Sequence, residues 1–262
     1  MNTSEVEGDR QEGMEEFLNR GDAFSRQDES DDGQFYGLDR FVDHLDAVAL
    51  ETVEKILDTL VVEKRPAILD LMASWDSHIP KTMETDEVVG LGLNNNELSR
   101  NKALTEIVLH DLNRDPVLPF GDDRFDLVLN TVSVDYMTRP FHVFREVARV
   151  LKPGGLFLVI FSNRMFPEKA VKIWRECSEP ERVILVEDFF RAAASFEDPR
   201  FFTSKGKPRP KDDKYADRGI PSDPIYAVYA EKKGADPKRS KRPSMVQEET
   251  RRLTAEEMKA QR

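Results

Sequence analysis

Between Phe41 and Val62 apolar residues recur at helical spacing (Phe41, Val42, Leu45, Val48, Ala49, Val53, Ile56, Leu57, Leu60), which predicts a helix with one stripe on a core, closed off by Pro66. Short, nearly all-apolar runs follow: Ala67 to Met72, Glu87 to Leu93, Thr105 to His110, Phe125 to Thr131 and Leu156 to Phe161. Each has the length and bounding turn residues of a buried strand. Between them, Asn96 to Asn101 and Pro140 to Leu151 predict helices, the second ending at the stop signal Lys152-Pro153-Gly154-Gly155. Pro167 to Glu176 and Pro180 to Ser195 predict two more helices. Residues 199–204 and Ile225 to Ala230 predict two closing strands, and 205–224, rich in Lys, Pro and Asp, a long hairpin loop. Apolar strands alternating with helices imply a mainly parallel sheet covered on both faces.

Composition narrows the class. The chain has 262 residues, 39% hydrophobic and 34% charged, with a formal net charge of −11. That charge is spread unevenly: −8 over residues 1–34, −8 over 35–231 and +5 over 232–262. A net-negative body argues against a nucleic-acid groove, because phosphate neutralisation needs clustered Lys and Arg. The acidic head has few large apolar residues and is expected to be a disordered tail (1–34) outside the 35–231 domain. The tail 232–262 is basic and polar. Lys238-Arg239-Ser240-Lys241-Arg242-Pro243 reads as a solvated linker or a nuclear-import patch, and Ser244 with Gln247 as a capping box for a polar helix over 246–260. No apolar run reaches the ~18 residues of a membrane span. The start lacks the pattern of a signal or transit peptide. A single cysteine, Cys177, forbids an internal disulfide, and four scattered histidines give no metal-binding spacing. These features point to a reducing, cytoplasmic location without a metal.

Three stretches carry a resemblance. Val117 to Val128 (VLPFGDDRFDLV) contains an L-P-F-x-D-x-x-F-D-x-V-like run into the fourth strand. Phe144 to Gly155 (FREVARVLKPGG) has the form of a helix and Gly-Gly turn before the fifth. Ile68-Leu69-Asp70-Leu71 and Val88-Val89-Gly90-Leu91 have the form of the first two strands. In this order and spacing they resemble the class I S-adenosylmethionine-dependent methyltransferases, type 11 group. The resemblance implies a doubly wound, mainly parallel, seven-stranded sheet (the Rossmann-like methyltransferase fold) with its last strand antiparallel. It also implies S-adenosylmethionine as cofactor and a small-molecule substrate, methylated in line.

In such sheets the ligand sits beyond the carboxyl ends of the strands. The resemblance therefore places cofactor contacts at Asp70, Met72, Ser74, Gly92, Asn94, Asp111, Leu112 and Asn130, and substrate contacts at Tyr136, Asn163 and Arg164. Candidate general bases are His78 and Asp135, needed where the acceptor carries a proton. Two departures stand out. The family's first loop is Gly-rich, whereas here it is Asp70-Leu71-Met72-Ala73-Ser74-Trp75-Asp76-Ser77-His78. The family's second strand ends in an acid for the ribose hydroxyls, whereas here it ends in Gly92, followed by Leu93 and the Asn94-Asn95-Asn96 run, itself also readable as a helix start. A crevice plugged by the Trp75 indole would leave a non-catalytic binding or scaffold protein, the alternative reading.

Overall fold

The computed structural model describes residues 15–16, 18–19, 21–213, 215–236 and 242–245. Strand β1 (Ala67–Leu71) is buried at every position, so both of its faces must be covered. It lies inside a seven-stranded sheet, third in line, with β2 (Glu87–Gly92), β3 (Glu106–Leu109), β4 (Phe125–Thr131), β5 (Leu151–Phe161), β6 (Arg200–Ser204) and β7 (Ile225–Glu231), in the order β3-β2-β1-β4-β5-β7-β6. The first five strands pair in parallel, and β7 runs antiparallel to both β5 and β6. This is the doubly wound sheet with an antiparallel last strand that the sequence predicts.

Alternation along the strands splits the core in two. Ile68, Val88, Leu127, Leu129 and Leu158 face helix α2 (Ala47–Leu60), which buries Val53, Ile56, Leu57 and Leu60. Leu69, Val89, Val128, Phe157 and Val159 face α4 (Pro140–Val150) and α6 (Glu179–Ala192). The remaining helices, α1 (Asp32–Tyr36), α3 (Asn95–Arg100) and α5 (Lys172–Glu176), are short.

Several boundaries differ from the sequence reading, each for a local reason. Helix α2 starts at Ala47 rather than Phe41, because the Asp46 carboxylate accepts the Val48 and Ala49 amides (3.0 and 3.1 Å) and caps it there. Residues 41–46 remain free to wall a cleft. The helix before Lys152-Gly155 does end there, at Val150, but the stretch itself opens β5, with a register shift between the Phe125 and Leu127 pairs and a left-handed Gly154 (φ 77°). The stretch from Pro167 becomes helical only at Lys172.

Residues 21–34, expected in a disordered tail, lie on the body. Phe24 packs against Phe141 and Phe189 (centroids 5.9 and 6.2 Å). Arg26 holds both oxygens of buried Asp32 at 2.7 Å. Lys169, fully buried, stands 3.2 Å from both Asp32 and Asp28. Composition counted few apolar residues there but could not show that the charges find buried partners. Behind the sheet, Arg242 of the basic run is likewise buried, bound to the Leu60 carbonyl (2.6 Å) and Glu63 (2.5 Å), so it is not part of a solvated patch. The rest of that run before Arg242 and the expected helix over 246–260 lie outside the described residues. Among the described residues no helix is long and apolar enough to cross a membrane.

Candidate functional site

The carboxyl ends of β1, β2, β3 and β4 open into a cleft of about 440 Å3, a size typical of pockets for drug-sized ligands. Its floor is the loop after β1, which the sequence shows to lack glycine. That loop lies down along β2: the Ala73 amide donates to the Leu91 carbonyl at 2.8 Å. A Cβ at Gly92 would stand 2.4 Å from the Ala73 carbonyl oxygen. The close approach thus falls on a glycine of the strand, Gly92. Any side chain at that position, an acid included, would run into the loop that crosses the strand.

The rest of the loop is pinned by α3 and its flank. Asn101 Nδ2 donates to the Ser74 carbonyl (2.9 Å) and to Ser77 Oγ (2.8 Å), and Ser74 Oγ donates to Glu97 (2.6 Å). Trp75 Nε1 donates to the Val42 carbonyl (3.2 Å), and its ring meets Phe41 edge-on at 6.5 Å. The indole therefore forms part of the wall, and the cleft stays open beside it.

Three non-glycine residues on the wall hold a left-handed backbone: Met72 (φ 61°), His78 (φ 52°) and Val132 (φ 47°). For β-branched Val132 this is a strained conformation, of the kind that gathers where loops must re-aim at strand ends. Its amide is held by the Ile160 carbonyl at 2.7 Å.

The opposite wall comes from α1 and the segment after it. Asn94 caps α3 through Asn96 and Glu97 (2.9 and 3.1 Å), as the plainer reading of the Asn run has it, and its amide also donates to the Tyr36 carbonyl (3.1 Å) and Asp39 (3.0 Å). Glu97, buried, accepts the Arg40 amide at 2.6 Å. Asp111 turns the chain after β3 by accepting the Asn113 amide (2.9 Å), beside buried Leu112. Asn113 in turn donates to Asp32 and to the Tyr136 carbonyl, each at 2.9 Å. The hydroxyls of Tyr36 and Thr131, both on the cleft, have no hydrogen-bond partner among the described residues.

The structure brings Asp70, Met72, Ser74, His78, Gly92, Asn94, Asp111, Leu112, Tyr136 and Arg164 to one cleft. It does not bring Asn130, Asp135 or Asn163 there. Asn130 is buried behind the wall, donating to the Leu71 carbonyl (3.0 Å) and Ser133 (2.8 Å), and it braces the β1 loop against β4. Asn163 is exposed away from the cleft. Asp135 is buried behind the wall with Oδ2 unpartnered, so it cannot reach an acceptor and is not a general base. Arg164 has its Nε on Asp223 at 3.1 Å. Sequence reasoning missed His44, Glu97, Tyr36 and Asp32, all on the wall. The Asn94-x-x-Glu97 spacing, a cap followed by an acid at the third helical position, is the one signal that could have drawn attention to Glu97.

Burial pushes the Asp70 carboxyl up to about 7, against the lowering effect of a hydrogen bond from Ser77, and pushes Asp135 up to about 8. Both are protonated in the folded protein at pH values where an unfolded aspartate is already ionised. The unfolded state then binds fewer protons, and stability falls as pH rises from about 4 through 8. Asp135→Asn is expected to remove much of that decline, leaving the variant ~1–3 kcal/mol more stable than the parent at pH 8 and close to it at pH 4. Urea titrations across this range check it, and parallel curves for the two proteins would contradict it.

Residues 78–159 match the family described as a methyltransferase domain. Among curated proteins, the chain is 34% identical over 110 residues to the ubiquinone/menaquinone biosynthesis C-methyltransferase UbiE of Laribacter hongkongensis, covering 39% of this chain and 43% of that protein. It is 41% identical over 88 residues to the fatty-acid O-methyltransferase of Mycolicibacterium smegmatis, covering 31% of each. The chain thus spans less than half the length of these relatives. Among solved structures, a chain of the complex between the Haloferax volcanii Trm112 methyltransferase activator and a methyltransferase superposes with TM-score 0.51 at 18% identity, covering 72% of this chain and 91% of that one. An S-adenosylmethionine-dependent methyltransferase from Thermotoga maritima gives TM-score 0.51 at 14% identity, with 72% and 91% covered. The fold is that of the Rossmann-like methyltransferases, and the resemblance to the class I, type 11 group stands.

Proposed function

We propose that this chain, whose body carries the methyltransferase fold and domain match, binds S-adenosylmethionine in the cleft above β1, β2 and β3 and transfers its methyl group to a small molecule. One observation carries the reading: the cleft is open at the strand ends where the family binds its cofactor, with the Trp75 indole drawn aside to Val42. The residues present fit that group. Carboxylates at Glu97 and Asp111 and the Asp70 carboxyl suit a ligand with ribose hydroxyls, an ammonium and a sulfonium, and Leu112 offers an apolar contact for a purine. When bound, the cofactor supplies a methyl group already activated on sulfur.

The chain's own contribution is then position. Asp111 and Leu112 hold the adenine end. Glu97 takes over the ribose from the acid that Gly92 cannot be, approaching from α3 instead of from β2. The pinned loop 72–78 sets the methionyl end. Segment 37–46 and the 205–224 loop wall the far side through Val42 to Asp46 and through Arg209, Asp213 and Tyr215, leaving room for a small acceptor. Fixing the two reactants in line contributes ~7–11 kcal/mol of the barrier.

The experiment is a calorimetric titration with S-adenosylhomocysteine. The intact chain is expected to bind it, and Glu97→Gln to weaken binding ~10-fold or more, since a charge-assisted hydrogen bond becomes a neutral one. Equal affinity in the two proteins would remove Glu97 from the site. The alternative, a silent scaffold, draws on the glycine-free loop after β1 and on Gly92 standing where the resemblance implies an acid. It predicts no binding at millimolar ligand.

A further inference from the structure

We propose that the acceptor is a neutral hydroxyl compound, an alcohol or phenol, and that His44 takes its proton; this rests on the methyltransferase reading above. His44 stands on the cleft wall in the segment before α2, its ring edge against Phe166 (centroids 5.8 Å, 85°). Among the described residues no hydrogen bond engages either imidazole nitrogen of His44. His78, the histidine the sequence singled out, stands with Nδ1 3.7 Å from Asp76.

The acceptor half of the cleft carries the second part of the argument. Asp43, Asp46, Asp76, Asp213 and Asp223 line the cleft against three arginines, Arg40, Arg164 and Arg209, and Arg40 donates to the Phe35 and Leu38 carbonyls (3.0 and 3.1 Å). Arg209, with a side chain only 4% exposed, is held by Asp223 (2.8 Å), Asp213 (3.2 Å) and Asp46 (3.4 Å), and Arg164 by Asp223. A carboxylate or phosphate would enter a field of excess negative charge and would have to take an arginine from its partners. An anionic acceptor is therefore disfavoured, and it would need no base.

An ammonium acceptor fits the charge but not the base. Burial, the largest influence, lowers the His44 pKa below that of an ordinary histidine; Arg40 and His78 act the same way, while Glu97 and Asp43 oppose them. From the other elements around the cleft, Phe166 brings a ring to His44, and the 205–224 loop brings Arg209 and Asp213 already paired with each other. Such an imidazole is neutral near pH 7 and far too weak to strip an ammonium, whose pKa lies near 10. A hydroxyl suits it, because the proton becomes strongly acidic only as the new bond forms. A lone pair on the hydroxyl oxygen forms the O–C bond to the methyl carbon. The S–C bond breaks, leaving its electron pair on sulfur. The hydroxyl proton passes to an imidazole nitrogen of His44. The products are a neutral ether, a neutral thioether and an imidazolium that returns its proton to water.

Three probes with one ring system separate the cases: 2-naphthol, 2-naphthoate and 2-naphthylmethylamine. With S-adenosylhomocysteine bound, calorimetry is expected to show 2-naphthol binding at least ~10-fold tighter than 2-naphthoate. The 15N resonances of the His44 ring should shift as 2-naphthol is added. With S-adenosylmethionine, methyl transfer should go to 2-naphthol. His44→Gln should lower kcat ~100-fold or more with little change in KM or in S-adenosylhomocysteine affinity, and should abolish the acid limb of kcat/KM. Preferred binding or methylation of the naphthoate or the amine overturns the proposal, as does failure of all three to bind a protein that does take S-adenosylhomocysteine. An unchanged rate in His44→Gln overturns the role of His44. Absence of S-adenosylhomocysteine binding overturns the methyltransferase reading itself, and this inference with it.

Discussion

Gly92→Ala is expected to cost about 3 kcal/mol of stability and to abolish affinity for S-adenosylhomocysteine, although it adds a single methyl group. The added carbon would stand 2.4 Å from the Ala73 carbonyl oxygen, a backbone atom whose own amide is tied to Leu91. Neither partner can give way without lifting the loop that forms the cleft floor. Gly90→Ala is the control. There the nearest atom, also at 2.4 Å, is the Leu104 Cδ1 methyl, the end of a half-buried side chain able to turn aside. It should cost about 1 kcal/mol or less beyond the usual loss of glycine and leave binding intact. Denaturant melts of both variants decide the matter. Equal costs, or a tolerated Gly92→Asp that binds ligand more tightly, would mean that the loop does not rest on the strand as described.

The second large effect is expected at Asp32. Its carboxylate accepts two bonds from Arg26, one from Asn113 and an ion pair from fully buried Lys169. Asp32→Ala leaves two buried cations short of their shared partner, a situation that costs about 3–5 kcal/mol. The loss should not be confined to stability. Asn113 links Asp32 to the Tyr136 carbonyl, and helix α1 carries Tyr36 to the cleft, so the same substitution should loosen the wall and weaken S-adenosylhomocysteine binding. Stability measured by denaturant and affinity measured by calorimetry should fall together. A fall of less than 1 kcal/mol would show that residues 21–36 merely rest on the body.

The fold was legible because β1, β2, β4, β5 and β7 hold short apolar runs that only a covered sheet explains, whereas β3, read as a buried strand, lies at the sheet edge with Ile107 and Leu109 exposed, and because the Pro140 to Val150 helix shows its stripe without ambiguity. The strand ends followed from that, and with them Asp70, Gly92 and Asp111. What failed was of two kinds. Asp135 follows the fourth strand, where substrate-facing groups belong, but the turn over Val134–Tyr136 sends its carboxyl behind the wall while Tyr136 faces the cleft. One residue of rotation separates these outcomes, and no sequence pattern records it. His44, Tyr36 and Asp32 were missed for another reason: they reach the site from segments whose partners are distant along the chain, such as Asp32 with Asn113 and Lys169. An acidic segment with few apolar residues looks disordered until its buried counter-charges are known.

Glycine placement is the more general point. A loop without glycine at a cofactor site looks like decay when read alone. Here the bare Cα that a close backbone approach requires is Gly92, and the acid nearest in the chain on the cleft is Glu97, five residues further along. On the proposed function, backbone approach and ribose recognition would both be kept in chemical kind, though supplied by different residues.

Backbone amide NMR of the chain titrated with S-adenosylhomocysteine tests the central claim most directly. The account predicts saturable shifts gathered at Met72 to Ser74, Gly92 to Glu97 and Asp111 to Asn113, with the back of the sheet unmoved. No perturbation at millimolar ligand, or one centred away from these strand ends, would contradict it.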